Sequence, residues 1–233
     1  MMGAKNIFLT TEGDAWYRRN REKLEEESGF SAVDLMIDFL NRQKKSLGGV
    51  NGFSWDKLNI LEIGCSYGYN LAKFCESFSC QCYGIEPSKE AVEDGNRRYK
   101  DLPIQLTQGT GDLLPYEAES MDVVIMGFCM LWMERKDILQ AYAQADRVLK
   151  TNGIMMVYDF DAKMPYLRDN IHNREVFTYK MDYAQPFMAF PNYYLMDKTV
   201  FCHMGNFFDK RIQERISLQI LYKESLEDAY RKG

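Results

Sequence analysis

The first residues here whose types and spacing suggest chemistry are Gly64-Cys65-Ser66-Tyr67-Gly68. An apolar strand pattern, Ile60, Leu61 and Ile63, runs straight into the glycines. Leu71, Phe74, Cys75 and Phe78 follow at i, i+3, i+4 and i+7, the spacing of an amphipathic helix. Strand, glycine turn and helix is how an open α/β sheet builds a nucleotide pocket at the carboxyl ends of its strands. Glycine lets the backbone turn sharply and approach a ligand, because no Cβ stands in the way. The spacing is Gly-x-x-x-Gly, whereas a dinucleotide fingerprint is Gly-x-Gly-x-x-Gly. Cys65 to Tyr67 sit where its middle glycine would be, which argues against a nicotinamide-dependent oxidoreductase. Glu86 ends the next apolar run, about 20 residues on, where an acidic residue accepts from ribose hydroxyls. Its two carboxylate oxygens match two hydroxyl donors.

These residues need a sheet to position them. Period-two and continuous apolar runs predict strands over Leu58–Ile63, Gln81–Glu86, Ile104–Thr107, Asp122–Gly127 and Ile154–Phe160. Helices fall between them, one starting from Ser88 as N-cap and one near Asp137–Lys150. Such alternation implies a parallel sheet covered on both faces. Before it, Asp14 is expected to cap a helix running through Arg19 and Glu26. Val33, Met36, Ile37 and Leu40 stripe a second helix, and residues 48–52 read as a glycine loop. After Asp161 the period is lost until Thr199–Met204 and Arg215–Tyr222, which predict an antiparallel hairpin. The expected fold is therefore α/β: a doubly wound, mostly parallel sheet of about seven strands with a C-terminal antiparallel hairpin. It forms one domain over 1–233, with an N-terminal helical cover over 1–50 and a lid-like insert over 162–197.

Composition narrows the function class. At 46% hydrophobic and 27% charged residues the 233-residue chain has ordinary globular usage. A net charge of -5 gives no electrostatic support to nucleic-acid binding. No apolar run approaches the ~20 residues of a membrane span, and the first ten residues make no signal peptide, so a cytoplasmic protein is expected. Six cysteines are present. Cys80 and Cys82 share a strand face, but with only His172 and His203 to help, no metal site is expected. Reduced structural thiols are the expectation.

From about Leu58 to Tyr222 the chain resembles the class I S-adenosylmethionine-dependent methyltransferases. Four segments carry the likeness, in the family's order: Leu61-Glu-Ile-Gly-Cys-Ser-Tyr-Gly68, Gly84-Ile-Glu-Pro-Ser88, Gly109-Thr-Gly-Asp-Leu-Leu-Pro-Tyr116 with Ser120-Met-Asp-Val-Val124, and Arg147-Val-Leu-Lys-Thr-Asn-Gly153. The last departs from the family's form at Thr151 and Asn152, where proline and glycine are usual. Asn tolerates left-handed backbone, so the turn is expected to survive. The resemblance implies S-adenosyl-L-methionine as cofactor. Gly64, Cys65, Ser66 and Gly68, with Tyr69 and Asn70, would hold its amino-acid end. Glu86 and Pro87 would hold the ribose, and Thr110, Gly111 and Asp112 would border the adenine. Phe128 and Cys129 would flank the sulfonium, with Trp16, Tyr17 and Asn20 as cover.

Methyl transfer is an in-line displacement that depends on alignment, and a hydroxyl nucleophile gains from a base. The resemblance places the acceptor under the segment after the fifth strand, where His172 is the candidate base. Tyr183 and Asp159 are the further catalytic candidates, with Tyr179 and Lys180 nearby. The flanking segments also resemble those of bacterial methyltransferases acting on sugars of surface polysaccharides. That implies a small polar metabolite as acceptor, methylated on a hydroxyl or amine, and a monomer or homodimer. The competing reading is a non-catalytic cofactor-binding protein on the same fold.

Overall fold

The computed structural model describes residues 3–25, 31–47, 53–202, 205, 207–208, 210–211 and 214–230. The strands are β1 (Leu58–Ile63), β2 (Cys80–Glu86), β3 (Ile104–Gln108), β4 (Met121–Gly127), β5 (Leu149–Phe160), β6 (Tyr166–Asp169), β7 (Phe177–Lys180), β8 (Tyr193–Cys202) and β9 (Arg215–Lys223). The helices are α1 (Ala4–Ile7), α2 (Gly13–Glu25), α3 (Ala32–Leu47), α4 (Tyr69–Ser77), α5 (Lys89–Arg98), α6 (Arg135–Val148), α7 (Gln185–Met188) and α8 (Leu226–Ala229). Seven strands form one sheet in the order β3-β2-β1-β4-β5-β9-β8. The first five run parallel, and β9 joins β5 antiparallel, with β8 beyond it. This is the mostly parallel sheet with a C-terminal antiparallel hairpin that the sequence predicted.

The central strands are apolar almost throughout because helices cover both faces. Val123, Val124, Ile125 and Met126 of β4 and Ile154 to Val157 of β5 are all buried. Strand β1 pairs with β2 on one side and β4 on the other, so the winding reverses there. A crevice opens outside the carboxyl ends of strands at such a reversal.

Several boundaries moved. Strand β5 starts at Leu149, five residues early, because the Asn152 turn stays within the ladder at φ 68. That left-handed residue is the tolerance expected of Asn. Strand β8 begins at Tyr193 rather than Thr199, so the end of the expected insert belongs to the main sheet. The rest of the insert holds the β6–β7 hairpin and α7. Residues 26–30, 48–52, Met204 and Asn206 lie outside the described residues, and with them the expected glycine loop.

The N-terminal segment differs most. A π-helical turn, Phe8–Glu12, links α1 to α2 without a break, so Asp14 lies inside a helix rather than capping it. Asp14 supports a different helix: its Oδ1 accepts from Ser88 Oγ at 2.7 Å and from the Glu90 amide at 3.0 Å at the start of α5. Ser88 Oγ in turn accepts from the Ala91 amide, the N-cap expected from the sequence. Gly13 permits this crossing, since a Cβ there would stand 3.0 Å from the Ser88 nitrogen.

Candidate active site

A cavity of about 790 Å³ lies at the switch point. Its floor is the β1–α4 loop. Gly64 takes φ 80 and packs so closely on Cys129 that a Cβ would meet the Cys129 Cβ at 2.4 Å, so no side chain fits. Ser66 also takes a left-handed φ, 49, as does Phe128 at the end of β4, φ 51. Non-glycine residues in that region are sparse and cluster at functional sites. Here both line the cavity.

Two buried carboxylates flank the loop. Glu86 ends β2 at 9% exposure, with Oε1 accepting from the Ser88 amide and Oε2 from the Ser66 amide, each at 2.9 Å. These bonds fix the carboxylate and leave each oxygen a further lone pair. Glu62 of β1 is 1% exposed, and its Oε1 accepts from Asn70 Nδ2 at 2.6 Å. Its Oε2 has no partner. Burial pushes both carboxyls up to about 7, against the pull of those hydrogen bonds. Ser66 Oγ, and Asp137 Oδ2 elsewhere in the lining, are likewise buried without partners.

The opposite rim is built by Thr110, Gly111 and Asp112. A Cβ on Gly111 would lie 2.8 Å from Ile63 Cγ2, so glycine brings this backbone against the end of β1. Lys5 of α1 reaches over to Asp112 at 2.7 Å and Asp137 at 3.7 Å. Burial pushes the Asp112 carboxyl up, and the Lys5 ammonium together with hydrogen bonds from Thr110 and the backbone more than reverses it, leaving it below the usual range. Aromatic side chains close the cavity. Phe8 stands 5.5 Å from Trp132, and Phe128 stands 5.4 Å from Tyr158. Trp16 lines it from α2. The β6–β7 hairpin is held to this cover through Val176, buried with Ala4 and Ile7, and by Asn173 Nδ2 donating to Glu12 Oε2 at 3.1 Å.

The structure thus gathers Trp16, Gly64, Cys65, Ser66, Tyr69, Asn70, Glu86, Pro87, Thr110, Gly111, Asp112, Phe128 and Cys129 around one cavity. Six other expected residues, Asp159 among them, stand elsewhere. Gly68 caps α4 at φ 84 and serves the turn. Tyr17 turns away, donating to Asp94 Oδ2 at 2.6 Å and packing on Tyr67. Asn20 bonds back to the Trp16 carbonyl on its own helix. His172 is exposed in the β6–β7 connection, off the cavity wall, so the expected base is misplaced. Tyr183 is buried beneath the sheet cover, its hydroxyl donating to the Tyr179 carbonyl.

Asp159, the other expected catalytic residue, is 1% exposed and faces backbone instead of the cavity. It accepts from the amides of Met130, Leu131 and Phe160, pinning the 3₁₀ turn Met130–Trp132 that carries Trp132. The sequence also left residues unassigned. Glu62 was legible, as an acid inside the apolar run Ile60, Leu61 and Ile63 of a parallel strand, and such charges are rarely buried without a task. Lys5, Phe8 and Trp132 gave no local signal.

Residues 61–157 match the methyltransferase-domain family. An uncharacterized protein of Haemophilus influenzae is 28% identical over 46% of this chain and 44% of its own length. A sterol 24-C-methyltransferase of Debaryomyces hansenii is 25% identical over 52% of this chain and 33% of its own. The chain thus spans less than half the length of these curated relatives. Among solved structures, the 1,6-didemethyltoxoflavin-N1-methyltransferase of Burkholderia thailandensis, bound to S-adenosylhomocysteine, aligns with a TM-score of 0.67 at 12% identity. That alignment covers 94% of this chain and 89% of that one. The fold is the Rossmann-like fold of the methyltransferases.

Proposed function

We propose that this protein transfers the methyl group of S-adenosylmethionine to a nucleophile on a small acceptor. The observation that carries the reading is the pair of buried carboxylates, Glu62 and Glu86, facing one cavity on either side of the glycine loop. The wall holds Glu62, Glu86, Asp112 and Asp137 against a single described cation, Lys5, which is already paired. A ligand with an ammonium, a sulfonium and a ribose suits such a wall. The unpartnered Glu62 Oε2 and Ser66 Oγ offer acceptors at the loop end, and Glu86 offers its remaining lone pairs at the ribose position.

When bound, the cofactor supplies an electrophilic methyl on a positively charged sulfur. The chain's own groups contribute position and field. The loop and Glu86 fix the donor, and the faces of Phe128, Tyr158 and Trp132 suit a cationic centre near them. The same rings exclude water from the side where an acceptor would approach. No histidine lines the cavity among the described residues. Alignment of donor and acceptor is the main catalytic device.

The sugar or phosphorylated acceptor suggested by the flanking segments rests on sequence likeness. An aromatic wall whose one described cation is engaged favours a neutral, ring-bearing acceptor with a hydroxyl or amine. Turnover of methyl-labelled donor against neutral ring compounds, sugars and sugar phosphates tests this directly. Label in the first group supports the reading. Label only in phosphorylated sugars overturns the acceptor, and tight donor binding with no transfer to any acceptor leaves a non-catalytic binding protein.

A further inference from the structure

Three thiols meet at the opposite pole of the sheet from the cavity. Cys75 lies on the last turn of α4, and Cys80 and Cys82 lie on one face of the first residues of β2. The Sγ atoms form a nearly equilateral triangle: 3.6 Å from Cys75 to Cys82, and 3.5 Å from Cys80 to each of the other two. Cys80 and Cys82 are buried, and Cys75 is half-exposed. The tight connection from α4 to β2 holds all three within eight residues of chain, so the triangle is set by local backbone. Glu86 lies at the far end of the same strand, about 13–20 Å along it at ~3.3 Å per residue. The cluster therefore takes no part in the cavity.

We propose that Cys75, Cys80 and Cys82 form a zinc site with three protein thiolates and a fourth position open to an external ligand. Soft thiolates with no nitrogen or oxygen donor among them select zinc or copper(I). Geometry separates the two. An ion centred in the plane of this triangle would sit about 2 Å from each sulfur, short of the ~2.3 Å of a zinc–thiolate bond. At ~2.3 Å the ion must stand about 1 Å out of the plane, with its fourth ligand on the far side. That is a tetrahedral centre, whose sulfurs lie about 3.8 Å apart, a few tenths of an ångström from those observed. A planar three-coordinate copper(I) fits less well. Three thiolates around Zn²⁺ leave one net negative charge, and half-exposed Cys75 marks the side from which water or an outside ligand reaches the ion. On binding, the thiol protons leave to solvent and no redox step is involved. The cysteine spacing alone suggested no such site, because Cys75 belongs to the preceding helix.

The test is titration of the reduced full-length protein with Zn²⁺ against a chromophoric chelator, and with Co²⁺ as a spectroscopic probe. Expected are one equivalent of Zn²⁺, the visible bands of tetrahedral Co²⁺ with thiolate charge transfer, and protection of Cys75, the one accessible thiol of the three, from alkylation. Cys75→Ser should weaken Zn²⁺ binding at least tenfold, while Cys202→Ser should not. Should Cys75→Ser misfold, alkylation of the wild type with and without Zn²⁺ decides alone. Wild-type binding no tighter than that of Cys75→Ser, octahedral Co²⁺, or alkylation unaffected by Zn²⁺ would each overturn the site and leave three thiols in van der Waals contact.

Discussion

Asn70 donates to Glu62 at 2.6 Å and leaves the second oxygen of that carboxylate unpartnered at the cavity wall. Helix α4 thus holds a buried acid of β1 in one orientation, aimed where the glycine loop ends. A cationic ligand group would complete the pair. Glu62→Gln should weaken S-adenosylmethionine about tenfold or more by calorimetry, and adenosine, which lacks the charged end, much less. The same variant should melt higher than wild type at pH 8 without ligand, since it removes a carboxylate that burial penalises. Equal losses for the two ligands would remove Glu62 from the amino-acid end.

The pH dependence follows from Glu62, Glu86 and Asp159, each raised by burial to about 7. A carboxyl raised on folding binds its proton more tightly in the folded state, so unliganded stability should fall as pH rises from about 4.5 to 7 and then level. Cofactor affinity should move the opposite way, because a cation favours the ionised forms. It should rise roughly tenfold for each of Glu62 and Glu86, the two that line the cavity, between pH 6 and 7.5. Melting curves and titrations over that range check both signs.

Glu86→Ala removes the acceptor of two backbone amides as well as the expected ribose contact. We expect at least a hundredfold loss for S-adenosylhomocysteine, about 3 kcal/mol, in line with hydrogen bonds to a charged group. Free methionine, which has no ribose, should bind the variant and the wild type alike.

The cofactor half of the site was readable because its residues follow each other along the chain. Gly64, Glu86 and Gly111 each end or follow a strand of the parallel sheet, and parallel strands place all their carboxyl ends together. The cover was not readable. Lys5 meets Asp112, Glu12 meets Asn173 and Cys75 meets Cys80 and Cys82 through folding, and no local period announces such pairs. His172 was chosen as the one histidine in the expected lid, and the hairpin turns it outward. Asp159 was chosen as an acid near the right strand end, but three backbone amides claim it.

Those two residues make opposite predictions. His172→Ala should leave single-turnover methyl transfer within twofold of wild type. Asp159→Asn keeps the shape but cannot accept all three amides equally well, and should cost about 1–3 kcal/mol of stability. Its effect on turnover should vanish at temperatures where the variant stays folded. A large loss in folded Asp159→Asn, or in His172→Ala, would return that residue to the chemistry.

The most direct measurement is a calorimetric titration of the purified protein with S-adenosylhomocysteine and, separately, with NAD⁺. The account predicts one-to-one binding of S-adenosylhomocysteine, tighter than ~1 mM and lost in Glu86→Ala, with no heat from NAD⁺. Binding of NAD⁺ without S-adenosylhomocysteine, or of neither, would contradict it.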